Sequence, residues 1–542
     1  MKNKILQNWK SGIAVSIVSI PLALALAISS GATPTQGIIT AFWAGLIGGV
    51  FGSSNYNIIG PTGALAGILM TFAFTHGYEV LPIIAILSGL LISIAYLFKF
   101  DRFIIFIPQA VIHGFSLGVT FIIGMGQLDN ILGIVNVPKT EHFITNVITI
   151  LQNLYQANWL IFIAFTLSTL FILFWNKKIP KIPGAAIISF VGIVSMLIIK
   201  HFNFSFDILT LGDKYNSIHA TLFENPFSQF NLSLLLRKDI WIISIATAII
   251  AILETLISGQ IANIMTKTKF NRHKEILGLS IANIGSGIFG GIPATAALAR
   301  TALNIKSGAN HKTSAIINSI FIGIISIFFI KYFELIPMFV IASILVVVAI
   351  NMVEKKHFIH LIENEKTAFI ISLFVALLVI VEDPIFGLII GSVIALLIFV
   401  NKLSYGQTEI LIWNNGIMTE SVLKNEFIKK TIIDSDIIVY KISGTLTYIN
   451  MPAHIETINK IKNNKYVIIS LRHAFYADVD GIDYLGEIIE ILKSNNNKHI
   501  VLSGINKDIQ TKINHTDFYK RKLLEKKIYK RTSEAIKVFT QQ

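Results

Sequence analysis

Between residues 11 and 402 the chain is an almost unbroken series of apolar runs, separated only by short polar stretches. A helix that crosses a bilayer needs about 20 apolar residues. Runs at 11–30, 37–51, 61–75, 80–98, 108–132, 158–175 and 182–199 form a first set. Runs at 240–265, 275–289, 294–305, 312–330, 335–352, 367–382 and 384–401 form a second. The pattern predicts an α-helical polytopic membrane protein with fourteen segments, seven and seven, of which 61–75 and 294–305 are too short to cross alone. Only 14% of the residues are charged, against about 25% in soluble proteins. The basic start, Met1 to Trp9, and Pro21 inside the first run read as a first span and not as a cleaved leader.

The net charge of +14 raises nucleic acid as a partner, but its distribution excludes it. With the N-terminus taken as cytoplasmic, Lys2, Lys4, Lys10, Lys99, Arg102, Lys177, Lys178 and Lys181 fall on one side. So do Lys267, Lys269, Arg272, Lys274, Lys306, Lys312, Lys355, Lys356 and Lys366. The other side has mainly Lys139, Lys214, Arg237, Lys238 and Lys331. This is the positive-inside asymmetry, and an even number of spans returns the C-terminus to the cytoplasm. Cysteine is absent, which removes disulfides, thiolate metal sites and cysteine nucleophiles. After Lys402 the composition turns polar, with strand-like runs at 437–449, 466–471 and 499–505 and helical patterns at 452–463 and 481–493. The expected division is a transport domain at 1–403, a linker at 404–407 and a small α/β domain at 408–542.

Two segments interrupt the apolar pattern in the same way: Gly60-Pro61-Thr62-Gly63-Ala64, and Gly290-Gly291-Ile292-Pro293-Ala294-Thr295-Ala296. Irregular backbone survives at membrane depth only where it is buried in protein or lines a cavity. A proline in the first turn of a helix suits its missing N–H, so each motif is expected to open a half-helix. A helix N-terminus presents unpaired N–H groups and about half a positive charge. Two of them facing each other make an anion site without a metal. The motifs occupy the third segment of each seven, the arrangement of an inverted repeat with broken helices at the midplane. The plainer alternative is a Gly/Pro kink in two ordinary helices.

Candidate substrate contacts are therefore Thr62, Gly63, Ala64, Ala294, Thr295 and Ala296. Glu254 stands alone in an uncharged run, with Ser258 one turn later on the same face. A charge at the bilayer centre costs about 2.5–3.5 kcal/mol on insertion scales, which favours a function. Glu254 with Ser258 is the candidate for ion coupling, by H+ or by Na+; a structural carboxylate is the alternative. Arg300, five residues after Thr295, is a candidate to neutralise the anion, or else snorkels to the cytoplasmic face or pairs with Glu254.

At these motifs the chain resembles the sulfate permease (SulP) family of anion transporters. The resemblance is carried by Pro21-Leu22-Ala23-Leu24-Ala25, Gly60 to Ala64, Pro108 to Phe115, Glu254-Thr255-Leu256, Ala262 to Thr266, and Gly290 to Thr301. The tail looks like a STAS domain. The resemblance implies two inverted repeats of seven, a core domain holding the anion between the third and tenth segments, a gate domain, and often a homodimer. It also implies a coupling carboxylate at Glu254 and positive charge at Arg300. Asp480 stands where regulatory STAS proteins carry a phosphorylatable residue, so it is expected to cap a helix. A cytoplasmic regulator of this domain remains a candidate partner.

The function expected is secondary active transport of small inorganic anions, sulfate first, coupled to protons. A sodium-coupled bicarbonate carrier, a dicarboxylate carrier and an anion channel are the alternatives. No nucleophile–base pair, metal-ligand cluster or nucleotide loop points to an enzyme, and no cofactor is expected. The location expected is a bacterial inner membrane.

Overall fold

Each of the fourteen apolar runs contains a helix in the computed structural model. It describes residues 2–99, 108–135, 143–179, 183–202, 207–215, 221–227, 235–353, 355–382, 384–404, 408–414, 417–422, 437–459, 461, 464–495, 497, 499–514 and 528–541. Arg102, Lys139, Lys181 and linker residues 405–407 lie outside these. The first seven runs become α1 (Lys2–Ser29), α2 (Pro34–Phe51), α3 (Gly63–His76), α4 (Leu81–Leu97), α5 with α6 (Gln109–Met125, Leu128–Leu132), α8 (Trp159–Lys178) and α9 (Gly184–His201). The second seven become α11 (Lys238–Thr266), α12 (Arg272–Ile288), α13 (Leu298–Lys306), α14 (Thr313–Phe333), α15 (Met338–Met352), α17 (Lys366–Val381) and α18 (Pro384–Ser404). Among the described residues, nine helices are long and apolar enough to cross a membrane by length and composition. Three short helices were not expected: α7 (Phe143–Gln152), α10 (Leu211–Tyr215) and α16 (Lys355–Asn364).

The chain divides into two compact units, residues 1–395 and 396–542. In the first, the helices pack into two bundles. One joins α1–α4 with α11–α14, through α12 against α4 and α2 and through α1 against α14. The other joins α5, α6, α8 and α9 with α15 and α17, through α5 against α17 and α15 against α8. The first four segments of each half of the chain thus share one bundle, and α5, α6, α8, α9, α15 and α17 make the other.

The two sequence breaks end in strands and not directly in helices. Residues Ile59–Gly60 (β1) and Thr295–Ala296 (β2) pair antiparallel, with Ile59 opposite Ala296 and Gly60 opposite Thr295. This corrects the expectation that the prolines open the half-helices. Pro61 precedes the cap residue Thr62, whose backbone is extended at φ −134 and ψ 155. Pro293 lies before the strand, and α13 starts only at Leu298. The backbone groups freed by the break are satisfied by the ladder, so each helix begins where the ladder ends. With 14 and 9 residues, α3 and α13 rise about 21 and about 14 Å, short of the ~30 Å hydrocarbon core.

The C-terminal unit contains a five-stranded sheet in the order β4-β3-β5-β6-β7, built from Thr408–Asn414 (β3), Ile417–Val422 (β4), Ile437–Leu446 (β5), Tyr466–Ala477 (β6) and His499–Ser503 (β7). The β5–β6 and β6–β7 pairs are parallel, and β3 pairs antiparallel with β4 and β5. Strands covered on both faces read as continuous apolar runs, which is the pattern of Ile437–Tyr440 and Tyr466–Ile469. On one face Ile438, Tyr440 and Ile469 pack with Ile482, Leu485 and Ile489 of α20 (Val479–Ser494), beyond α19 (Met451–Ile458) in the chain. On the other, Val439, Ile468 and Val501 pack with Ala535, Ile536 and Phe539 of α22 (Thr532–Thr540), after α21 (Lys507–Asn514). Asp480 does not cap α20. Asp478, extended at φ −90 and ψ 179, accepts from Gly481 N at 2.6 Å and is the cap. Asp480 is already inside the first turn, where its side chain is exposed.

His454 is 1% exposed and hydrogen-bonded through Nδ1 to the Tyr440 hydroxyl at 2.9 Å. Burial lowers its pKa from 6.5 to about 4, so the fold favours the neutral ring. The unfolded chain therefore binds the extra proton first. The contribution is complete above the unfolded pKa and is lost as pH falls towards about 4, on the order of 3 kcal/mol in all. Amide exchange of β5 in the full-length protein is expected to accelerate across that window, and His454→Gln is expected to flatten the dependence. A pH-independent β5 in the wild-type chain would contradict the assignment.

Candidate functional site

The β1–β2 ladder brings the starts of α3 and α13 together, and α11 crosses beside them. Glu254 of α11 is the meeting point. Its Oε2 accepts from the Thr62 hydroxyl at 3.0 Å and from the Thr295 hydroxyl. The two threonine oxygens are themselves 3.3 Å apart. The next residue, Thr255, accepts from Ala296 N at 3.1 Å through its hydroxyl. One turn of α11 thus holds both broken segments.

Most of this cluster is sealed: Thr62, Ala294, Thr295 and Ala296 are buried. Glu254, Ala64, Ala297 and Leu298 are partly exposed. The accessible surface therefore runs from the carboxylate to the first turns of both half-helices. Neither Thr62 nor Ala297, the two cap residues, makes a side-chain capping bond to its own helix. The leading N–H groups of α3 and α13 thus keep the dipole character that attracts an anion. Gly63 faces the second bundle, where a Cβ would come within 2.7 Å of Met352 Sδ and 3.1 Å of Ile123 Cδ1. The site lies on the boundary between the two bundles.

Arg300 lies in the first turn of α13 and is 1% exposed, so it does not snorkel. It makes no ion pair with Glu254 among the described residues. Its Nη2 donates to the Pro61 carbonyl at 2.5 Å, across the ladder, and its Nε has no hydrogen-bond partner among the described residues. The guanidinium fits against β1 only because residue 60 is glycine. A Cβ there would stand 2.5 Å from Arg300 Nη1. The positive charge is thereby carried under the α3 break, next to Thr62.

Ser258 is not joined to Glu254. Its hydroxyl lies 2.9 Å from Thr301 Oγ1 and 3.2 Å from Asn57 Oδ1, and Thr301 Oγ1 also accepts from Ile58 N at 3.4 Å. This buried cluster sits one turn of α11 away from the carboxylate.

Several residues that hold the site carry no signal of their own in the sequence. Asn283 brackets the Ala294 peptide, accepting from its N–H at 2.8 Å and donating to its carbonyl at 3.0 Å. Thr40 accepts from Ile292 N at 2.7 Å, and Ser286 donates to Ile292 O at 2.9 Å. These bonds satisfy irregular backbone that hydrocarbon would not. Asn57 and Glu275 do the same for the other break. The available signal was a polar residue on a tightly packed helix face, too common to single out.

Comparison with known proteins adds the following. Residues 5–375 match the sulfate permease family, and residues 429–535 match the STAS domain. A Bacillus subtilis (strain 168) protein named "Putative sulfate transporter YvdB" is 31% identical over 496 residues, 91% of this chain and 90% of its own. The bicarbonate transporter BicA of Picosynechococcus sp. is 24% identical over 73% of this chain and 70% of its own length. The solved structure of SLC26A9 aligns with a TM-score of 0.82 at 16% identity, covering 100% of this chain and 91% of that one. The transmembrane domain of a cyanobacterial BicA aligns with a TM-score of 0.62 at 21% identity, covering 72% and 98%. These two likenesses concern the fold.

Proposed function

We propose that this chain, which belongs to the sulfate permease family of anion transporters and carries a C-terminal STAS domain, is a secondary active carrier of small inorganic anions with sulfate as first substrate and protons as coupling ion. The observation that carries this reading is the convergence of Thr62, Thr295 and Glu254 at two opposed, uncapped half-helix starts. Thr62, Gly63, Ala64, Ala294, Thr295, Ala296 and Arg300 form the anion's surroundings. The backbone N–H groups and the buried guanidinium supply positive charge without a metal. Glu254 carries the proton. When the proton binds, a negative charge disappears beside the incoming anion, so the two cargoes favour each other's binding. The bundle of α1–α4 and α11–α14 moves past the other bundle to expose the site alternately to the two sides.

Sodium coupling with bicarbonate is the second reading. It is favoured by the 24% identity to BicA and by Ser258 one turn from Glu254. Against it, the Ser258 hydroxyl is engaged with Asn57 and Thr301, and the Glu254 oxygen with Thr62 and Thr295. The two side chains thus belong to separate hydrogen-bond networks. Both termini are proposed to face the cytoplasm of a bacterial inner membrane, with the protein a homodimer and the STAS domain open to a cytoplasmic regulator.

Uptake by proteoliposomes tests the proposal, with labelled sulfate or bicarbonate under separate proton and sodium gradients. The expected result is sulfate accumulation driven by protons. Bicarbonate accumulation that needs sodium would transfer the role to the Glu254–Ser258 turn. Flux without accumulation under either gradient would point to a channel.

A further inference from the structure

We propose that Glu275 is a positioning residue for anion binding, acting through Asn57 on the α3 break; this rests on the reading of the site given above. Glu275 stands in the first turn of α12 and is 2% exposed. Three N–H donors converge on its carboxylate. Ser53 N and Ser54 N each donate to Oε2 at 2.7 Å, and Asn57 Nδ2 donates to Oε1 at 2.7 Å. These residues belong to the irregular connection from α2 to β1.

The same connection is tied at both flanks. Ser53 exchanges hydrogen bonds with the Asn271 backbone at 2.8 and 3.0 Å. Lys312 Nζ donates to Val50 O at 2.7 Å and Gly52 O at 3.2 Å. The approach of α12 is so close that a Cβ on Gly278 would lie 2.5 Å from Gly52 Cα. Packing alone would not require a charge at position 275. A carboxylate suits the place because three N–H donors converge on it, and charge-assisted bonds are the strong ones.

Asn57 passes this constraint on. Its amide nitrogen also lies 3.3 Å from Thr255 O, and its oxygen accepts from Ser258. Asn57 is thereby fixed to the turn of α11 that bears Glu254. Only four residues separate it from Thr62, and β1 lies among them. Glu275 therefore sets how β1 registers on β2 and where Thr62 and the start of α3 stand relative to Glu254. A misplacement of about 1 Å is enough to cost roughly a hundredfold where geometry governs the reaction.

Glutamine at 275 keeps the shape but offers one acceptor and one NH2 to three donors, so at least one bond is lost. In full-length protein in proteoliposomes, Glu275→Gln is expected to raise the KM for labelled sulfate at least about tenfold with a smaller change in maximal rate. Amide exchange across residues 52–60 should accelerate. Asn57→Ala should give the same shift in KM, and the double variant no further shift, since the two act in series. Should Glu275→Gln fail to insert, Asn57→Ala alone carries the KM and exchange test. A lowered melting temperature with wild-type KM would reduce Glu275 to a structural carboxylate and overturn the proposal. If Thr62→Ala raises the KM and Glu275→Gln does not, the positioning role falls while the anion site stands. If neither variant moves the KM, the anion site itself is wrong and the proposal goes with it.

Discussion

With an inward proton gradient and the membrane potential held at zero, vesicles carrying Glu254→Gln are expected to equilibrate labelled sulfate without accumulating it. A gradient of about two pH units supplies about 2.7 kcal/mol per proton, enough for a roughly hundredfold anion ratio at one proton per cycle. The wild-type protein should approach that ratio, and the variant should stop near unity. Glutamine can still accept the Thr62 and Thr295 hydroxyls through its carbonyl oxygen. The half-helix starts thus stay in position, and sulfate exchange at equal concentrations should persist. What the variant lacks is a group that alternates between charged and neutral. Loss of exchange together with accumulation would make Glu254 a structural residue of the site.

Gly60→Ala is expected to reduce transport at least about tenfold, although the added group is a single methyl. That methyl would stand 2.5 Å from Arg300 Nη1 and 3.3 Å from its Cζ. The guanidinium is enclosed, and its bond to Pro61 O is 2.5 Å long, so it has little room to yield. Overpacking of this kind costs about 1–3 kcal/mol, and 1.4 kcal/mol is about tenfold in an equilibrium. The loss should appear in sulfate uptake and in the melting temperature together, because β1 must shift against β2 to admit the methyl. Wild-type uptake by Gly60→Ala would mean that neither the ladder register nor the guanidinium position matters to the anion.

The helical order and the two breaks were legible because each is written in local chemistry. Apolar run length gives the spans, and glycine beside proline in an apolar setting marks irregular backbone. The β1–β2 ladder was not legible. It joins residues more than two hundred positions apart through two pairs only, too short to leave an alternating pattern. For the same reason the prolines were expected inside the helices, whereas Pro61 stands between β1 and the cap Thr62 and Pro293 stands before β2. Glu254 was legible as the only charge in its run, whereas Glu275 looked like an ordinary acidic first turn. Its meaning lies in Ser53, Ser54 and Asn57, far away in the chain. Ser258 shows the limit of helical spacing. One turn from Glu254 it shares a face, yet its bonds go to Asn57 and Thr301. In the C-terminal unit the central parallel strands were readable as apolar runs, whereas the hairpin of β3 and β4 was not.

The most direct test of the account is to locate the anion itself. Crystals of the full-length protein soaked in selenate, an isostere of sulfate with an anomalous signal, would report its position. The account predicts a peak between the starts of α3 and α13, within about 3 Å of their leading N–H groups, and its loss in Gly60→Ala. A selenate peak elsewhere in the membrane unit, with the space beside Glu254 empty, would contradict it.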